Sequence, residues 1–132
     1  MLLQSFDVTH NPYFNTITGK TDLKTCINKM NSKIRAVSQT DLNELKNVVD
    51  LSGLFPPEYL DDMISGYFNN PDIEEIWFTY IDNEIPKAIG YCVPEKLTDG
   101  TYNLLAIGVT KAEQGKGIAK EMMNLNKKMA EF

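Results

Sequence analysis

The sequence predicts a single α/β domain in which helices cover a mixed, mainly antiparallel sheet. Three observations carry that prediction. Segments rich in aromatic and β-branched residues follow one another across short polar turns: Glu75 to Ile81, Lys87 to Val93 and Tyr102 to Thr110. Helical periodicity flanks them, with Leu42, Leu45, Val48 and Val49 before and apolar residues at 118, 122, 125, 129 and 132 after. Finally, 132 residues with 42% hydrophobic and 23% charged side chains suit one packed core and leave no room for two ordinary domains.

Composition also excludes functions. Thirteen Lys and Arg against eighteen Asp and Glu give a net charge of −5, which argues against a general nucleic-acid binder. Cys26 and Cys92 stand without a CxxC spacing or a histidine cluster, so no metal site is expected and the thiols read as inert. No basic leader and no run of 18 apolar residues occurs, so the expectation is a cytoplasmic protein that does not engage a membrane.

Taken in order, residues 1–32 are polar, with turn signals at Asn11-Pro12 and Thr18-Gly19, and read as an N-terminal extension to a domain spanning 33–132. Within the extension, Phe6 and Val8 alternate as in a short strand, and Asp22 to Met30 suits a short helix capped by Thr21 or Asp22. Ile34 to Val37 reads as a brief strand. Ser38 with Asp41 resembles a capping box opening a helix that Gly53 ends. Pro57 fits the first turn of a second helix carrying Leu60, Ile64 and Tyr67 or Phe68, closed by Asn69-Asn70-Pro71. The three strands turn at Asp82-Asn83-Glu84 and at Thr98-Asp99-Gly100. Leu104 to Val109 is apolar throughout, as expected for a strand covered on both faces. The order is therefore β-α-α-β-β-β-α.

One constellation carries chemistry: a strand, then Gln114-Gly115-Lys116-Gly117-Ile118-Ala119, then a helix. Glycines let the backbone turn tightly with its amides outward, at a helix N-terminus whose first N–H groups lack partners. The helix dipole, Lys116 and Lys120 add positive charge, so the turn suits a pyrophosphate. A Walker loop would need glycine at 110, which is Thr110, and a dinucleotide fingerprint would need Gly or Ala at 120, which is Lys120.

The segment resembles the acetyl-CoA motif of the GCN5-related N-acetyltransferase (GNAT) superfamily: Gln or Arg, two residues, Gly, one residue, Gly or Ala, met here by Gln114, Gly117 and Ala119. The element order from Ile34 to Phe132 is similar to that family's order as well. The resemblance implies an acyl-CoA N-acyltransferase-like fold and acetyl-CoA as co-substrate. It implies that Gln114, Gly115, Lys116, Gly117, Ile118 and Ala119 hold the pyrophosphate, and that Ile107, Gly108 and Val109 pair with the pantetheine arm. A bulge at Gly108 would help open the slot. The implied reaction is attack of a neutral amine, on a small molecule or a protein, on the thioester.

Catalytic groups are less marked. Leu104 to Val109 has no Glu, which many relatives place there. Tyr91, Glu95 and Tyr102 are the catalytic candidates, and Tyr80 and Asn103 could line an acceptor cleft, although sheet packing accounts for Tyr80 and Tyr91 and a solvated loop for Glu95. Trp77 and the Met122, Met123, Met129 set read as core, and His10 and Lys127-Lys128 as surface. Asp50, Glu58, Asp61 and Asp62 make the two-helix stretch acidic, in favour of a cationic acceptor. Relatives continue past the last helix with a fifth strand and more, so the domain reads as C-terminally incomplete. The alternative to an enzyme is then a truncated or non-catalytic binding module whose exposed strand edge is covered by residues 1–32, by a second copy in a homo-oligomer, or by a partner chain.

Overall fold

The computed structural model of the chain describes residues 3–15, 20–70, 73–95 and 100–131. In chain order the elements are β1 (Gln4–Asp7), β2 (Phe14–Asn15), β3 (Lys20–Thr21), α1 (Leu23–Met30), β4 (Ile34–Ala36), α2 (Leu42–Ser52), α3 (Leu60–Asn69), β5 (Ile76–Asp82), β6 (Ile85–Pro94), β7 (Thr101–Val109) and α4 (Ile118–Ala130). The main sheet has the order β1-β7-β6-β5-β4 with every pair antiparallel, and β2 and β3 form a small separate ribbon.

Alternation along the strands sorts side chains into a core on each face. Phe78, Ala88, Cys92 and Leu104 meet Leu23 and Ile27 of α1 and Met122, Leu125 and Met129 of α4. On the other face Trp77 and Ile89 meet Leu45, Val48 and Val49 of α2 and Leu60, Ile64 and Tyr67 of α3. Helix starts follow local chemistry. Asp22 caps α1 by accepting from Thr25 N–H at 3.2 Å. Ser38 N–H donates to Asp41 Oδ2 at 2.8 Å ahead of α2, through a short 3-10 turn at Gln39–Asp41. Gly53 ends α2 in the left-handed region at φ 69. The β5–β6 turn places Asn83 and Glu84 at φ 51 and 64, the mirror-image geometry that a two-residue hairpin loop favours.

Three expectations change. Two elements within 1–32 join the core: β1 pairs along Thr101 to Leu104 of β7, and α1 packs in the same core as α4. The edge expected to be exposed is thereby half covered. The strand irregularity lies at Leu105, not Gly108, because Cys92 pairs with Leu104 while Tyr91 pairs with Ala106, leaving Leu105 as the extra residue. Gly108 answers a close approach instead: a Cβ there would stand 2.7 Å from Ser52 Oγ and 3.1 Å from Leu54 Cδ2, where the end of α2 leans on β7. The expected turns at Thr18-Gly19 and Thr98-Asp99, the Pro71 stop and the last apolar position, Phe132, lie outside the described residues.

Candidate functional site

Strand β7 hands over to α4 through a short, tightly anchored segment. Thr110 N–H donates to Lys87 O at 3.0 Å, a 3-10 turn follows at Lys111–Glu113, and Gln114 Nε2 reaches back to Val109 O at 3.0 Å. Gly115 and Gly117 then take φ 84 and 83, left-handed values that a side chain would strain. Gly117 is the N-cap of α4 and no side chain caps it. The first bond into the helix is Glu121 N–H to Gly117 O at 2.9 Å, so the amides of Ile118, Ala119 and Lys120 have no acceptor within the helix. A cavity of about 300 Å³ opens over these amides, lined by Val109, Glu113, Gln114, Gly115 and Gly117 and by the first turn of α4.

The charge at this turn is tempered. Lys116 Nζ lies 3.0 Å from Glu113 Oε2, so its ammonium is already paired, and Lys120 sits in the first turn of α4. An arriving anion would have to compete with Glu113 for Lys116.

The adjoining strand edge continues the site. Because Thr110 bonds Lys87, and Gly108 stands opposite Ile89, those positions aim their backbone polar groups at β6. Ile107 and Val109, which alternate with them, turn theirs to the opposite edge. Strand β1 ends at Gln4 opposite Leu104, and among the described residues no strand pairs with 105–109 on that side. The open amides of the loop and the open edge of β7 therefore meet at Val109. A group combining a pyrophosphate with an extended, amide-bearing arm fits this layout: anionic oxygens at the helix start, amides along the strand.

The candidate catalytic residues are not gathered together. Tyr91 faces α2 and α3 opposite Ala106, beside the Leu105 bulge, with its hydroxyl donating to Glu75 Oε2 at 2.9 Å and its ring 4.2 Å from that of Trp77. Burial, then the Glu75 hydrogen bond, pushes its phenol well above the ordinary range. Tyr102 is 2% exposed and stacks on Phe6, on the α4 side of the sheet. Glu95 is exposed past the end of β6, its N–H bonded to Thr101 O. Tyr80 is buried in the core with α1 and α4, and Asn103 Oδ1 accepts from Ser5 Oγ of β1 at 2.9 Å. Sequence reasoning missed Glu75, whose only signal was its place just before β5, a strand whose neighbour carries Tyr91. It also missed Asn126, which interrupts the apolar face of α4 and is wholly buried. A second cavity, of about 520 Å³, lies between α2, the start of β6 and 110–113; there Glu44 and Glu113 offset Lys87 and Lys111.

No family model and no curated protein sequence matches the chain. Solved structures do. A GNAT-family protein from Desulfovibrio desulfuricans superposes with a TM-score of 0.59 at 21% identity, over 69% of this chain and 60% of that one. A GNAT family acetyltransferase from Staphylococcus aureus gives 0.59 at 16% identity, over 74% and 76%. An aminoglycoside 6'-N-acetyltransferase complexed with coenzyme A gives 0.57 at 14% identity, over 74% and 55%. The fold is that of the GNAT acyl-CoA N-acyltransferases. The chain spans less than two thirds of the length of the first and last of these proteins.

Proposed function

We propose that the chain is an acetyl-CoA-dependent N-acetyltransferase that acts on an amine. The observation that carries this reading is the junction at Val109, where the uncapped amides of α4 run into the unpaired edge of β7. The aminoglycoside acetyltransferase with the same fold holds coenzyme A, which supports that ligand class. In this reading Gln114, Gly115, Lys116, Gly117, Ile118 and Ala119 take the pyrophosphate, and Ile107, Gly108 and Val109 border the arm. Two buried free thiols, Cys26 and Cys92, suit a reducing cytoplasm.

Bound acetyl-CoA supplies an activated acyl group. The amine nitrogen forms a bond to the carbonyl carbon, the carbon–sulfur bond breaks, and the thiolate leaves. The chain must take one proton from the amine and give one to sulfur. Tyr91 and Glu75 are the pair assigned to that work. Glu75 is the acceptor for the amine proton, and the Tyr91 hydroxyl, 2.9 Å from Glu75 Oε2, is the donor to sulfur, so that the proton gained by Glu75 can pass on to Tyr91. Backbone N–H groups beside the bulge are the polarising groups for the carbonyl. Acidic α2 and α3 residues such as Asp50 and Asp62 favour a cationic acceptor.

A thiol-release assay across a panel of small amines and basic peptides tests the reading. Turnover that Tyr91→Phe and Glu75→Gln both depress supports it, and thiol release unaffected by either removes the proton assignment. The alternative is a binding module without turnover that a partner chain completes; the open 105–109 edge favours it, and acetyl-CoA uptake without thiol release would establish it.

A further inference from the structure

Two buried side-chain atoms lack a hydrogen-bond partner among the described residues, Trp77 Nε1 on the α2 and α3 side and Asn126 Oδ1 on the α4 side, and the second lies beneath the closed end of the strand edge. Asn126 of α4 is 0% exposed, and its Oδ1 has no hydrogen-bond partner among the described residues. Its Nδ2 donates to Gln4 Oε1 at 3.4 Å and lies 3.9 Å from Cys92 Sγ. Gln4 Nε2 in turn donates to the carbonyl of Met123 at 3.2 Å. Gln4 is the first residue of β1 and pairs with Leu104, so this amide pair stands where β1 stops and the open edge of β7 begins.

Depth agrees with that placement. From Val109 back to Leu105, four strand steps cover about 13 Å. From Ile118 to Asn126, eight helical steps cover about 12 Å. Strand and helix both leave the 110–117 loop, so Asn126 reaches the level of the bulge. A buried amide oxygen without a donor costs stability and calls for an explanation in a native core. An apolar residue would fill the same place in an otherwise apolar face of Met122, Leu125 and Met129.

We infer that Asn126, held by Gln4, is a positioning residue for the thiol-bearing arm of the cofactor, its Oδ1 accepting an amide N–H of that arm at the level of the Leu105 bulge. This rests on the acetyl-CoA reading above and assigns it a contact from α4 and β1, beyond the loop and β7. The N-terminal strand thereby serves as a wall of the slot, and Gln4 sets the point at which the arm must stop.

Titration calorimetry with CoA and with ADP, which shares the pyrophosphate and lacks the arm, separates the possibilities. Asn126→Leu should weaken CoA about 5–10-fold, the loss of one hydrogen bond, and leave ADP unchanged. Gln4→Ala, on a partly exposed edge residue that folding tolerates better, should weaken CoA in the same direction with ADP again unchanged. CoA affinity unaltered in both variants, or CoA and ADP weakened equally, overturns this inference alone. An unmodified chain that binds neither compound overturns the acetyltransferase reading and this inference with it.

Discussion

Gln114 Nε2 donates to the carbonyl of Val109 across the 3-10 turn that follows β7, at 3.0 Å. That bond ties the residue opening the glycine segment to the last residue of the strand, and so fixes the amides of α4 relative to the open strand edge. The carbonyl it occupies is one that faces away from β6.

Replacing Gln114 with Leu should therefore loosen the turn without unfolding the protein. The expected outcome is a CoA affinity lower by about 5–10-fold, in keeping with one lost hydrogen bond. The melting temperature should stay within a few degrees, since the residue is solvent-exposed. Calorimetry and a thermal melt check both.

Glu113→Gln should act in the opposite direction. Lys116 would lose its partner at 3.0 Å, and the cavity would lose a carboxylate. CoA binding should tighten a few-fold at low salt, and the gain should shrink as salt screens it. Titrations at two ionic strengths measure this.

Gly108→Ala should destabilise the fold by about 1–3 kcal/mol, the usual cost of overpacking. The new Cβ would meet Ser52 Oγ at 2.7 Å. Adding Ser52→Ala should recover part of the loss, although Leu54 Cδ2 at 3.1 Å remains in the way. Urea denaturation of the single and double variants tests the contact.

Stability should depend on pH through Asp41. Burial would raise its carboxyl, but the Arg35 guanidinium and the Ser38 N–H outweigh it and hold it below the ordinary value of 3.8. Because the folded state prefers the carboxylate, the stabilisation is fully present above about pH 5 and is lost as pH falls below about 4. Asp41→Asn should cost roughly 1–2 kcal/mol at neutral pH, less than a fully buried pair because the Arg35 side chain is 39% exposed. It should also flatten the acid limb of a denaturation series.

What the sequence shows best is local. The capping residues, the Gly53 stop, the hairpin at Asn83-Glu84 and the glycine turn before α4 each follow from a few neighbouring residues, and the structure places them where periodicity and turn chemistry predict. What it hides is long-range. Nothing in Gln4 to Asp7 names Thr101 to Leu104 as partner, because a four-residue strand with polar alternation suits many edges. The bulge at Leu105 carries no glycine to mark it, and Gly108, which looks like one, is explained by Ser52 fifty-six positions earlier. Glu75 and Asn126 acquire meaning only from Tyr91 and Gln4, which the fold brings to them.

In the proposed function the loop amides and the open edge of β7 form one binding site for acetyl-CoA. Titration calorimetry of acetyl-CoA against the unmodified chain and a Gly117→Glu variant tests it most directly, since the variant puts a strained residue and a carboxylate at φ 83 beside the pyrophosphate position. Saturable binding by the unmodified chain and none by a folded Gly117→Glu is the expected result. No binding by the unmodified chain, or equal binding by both, would contradict it.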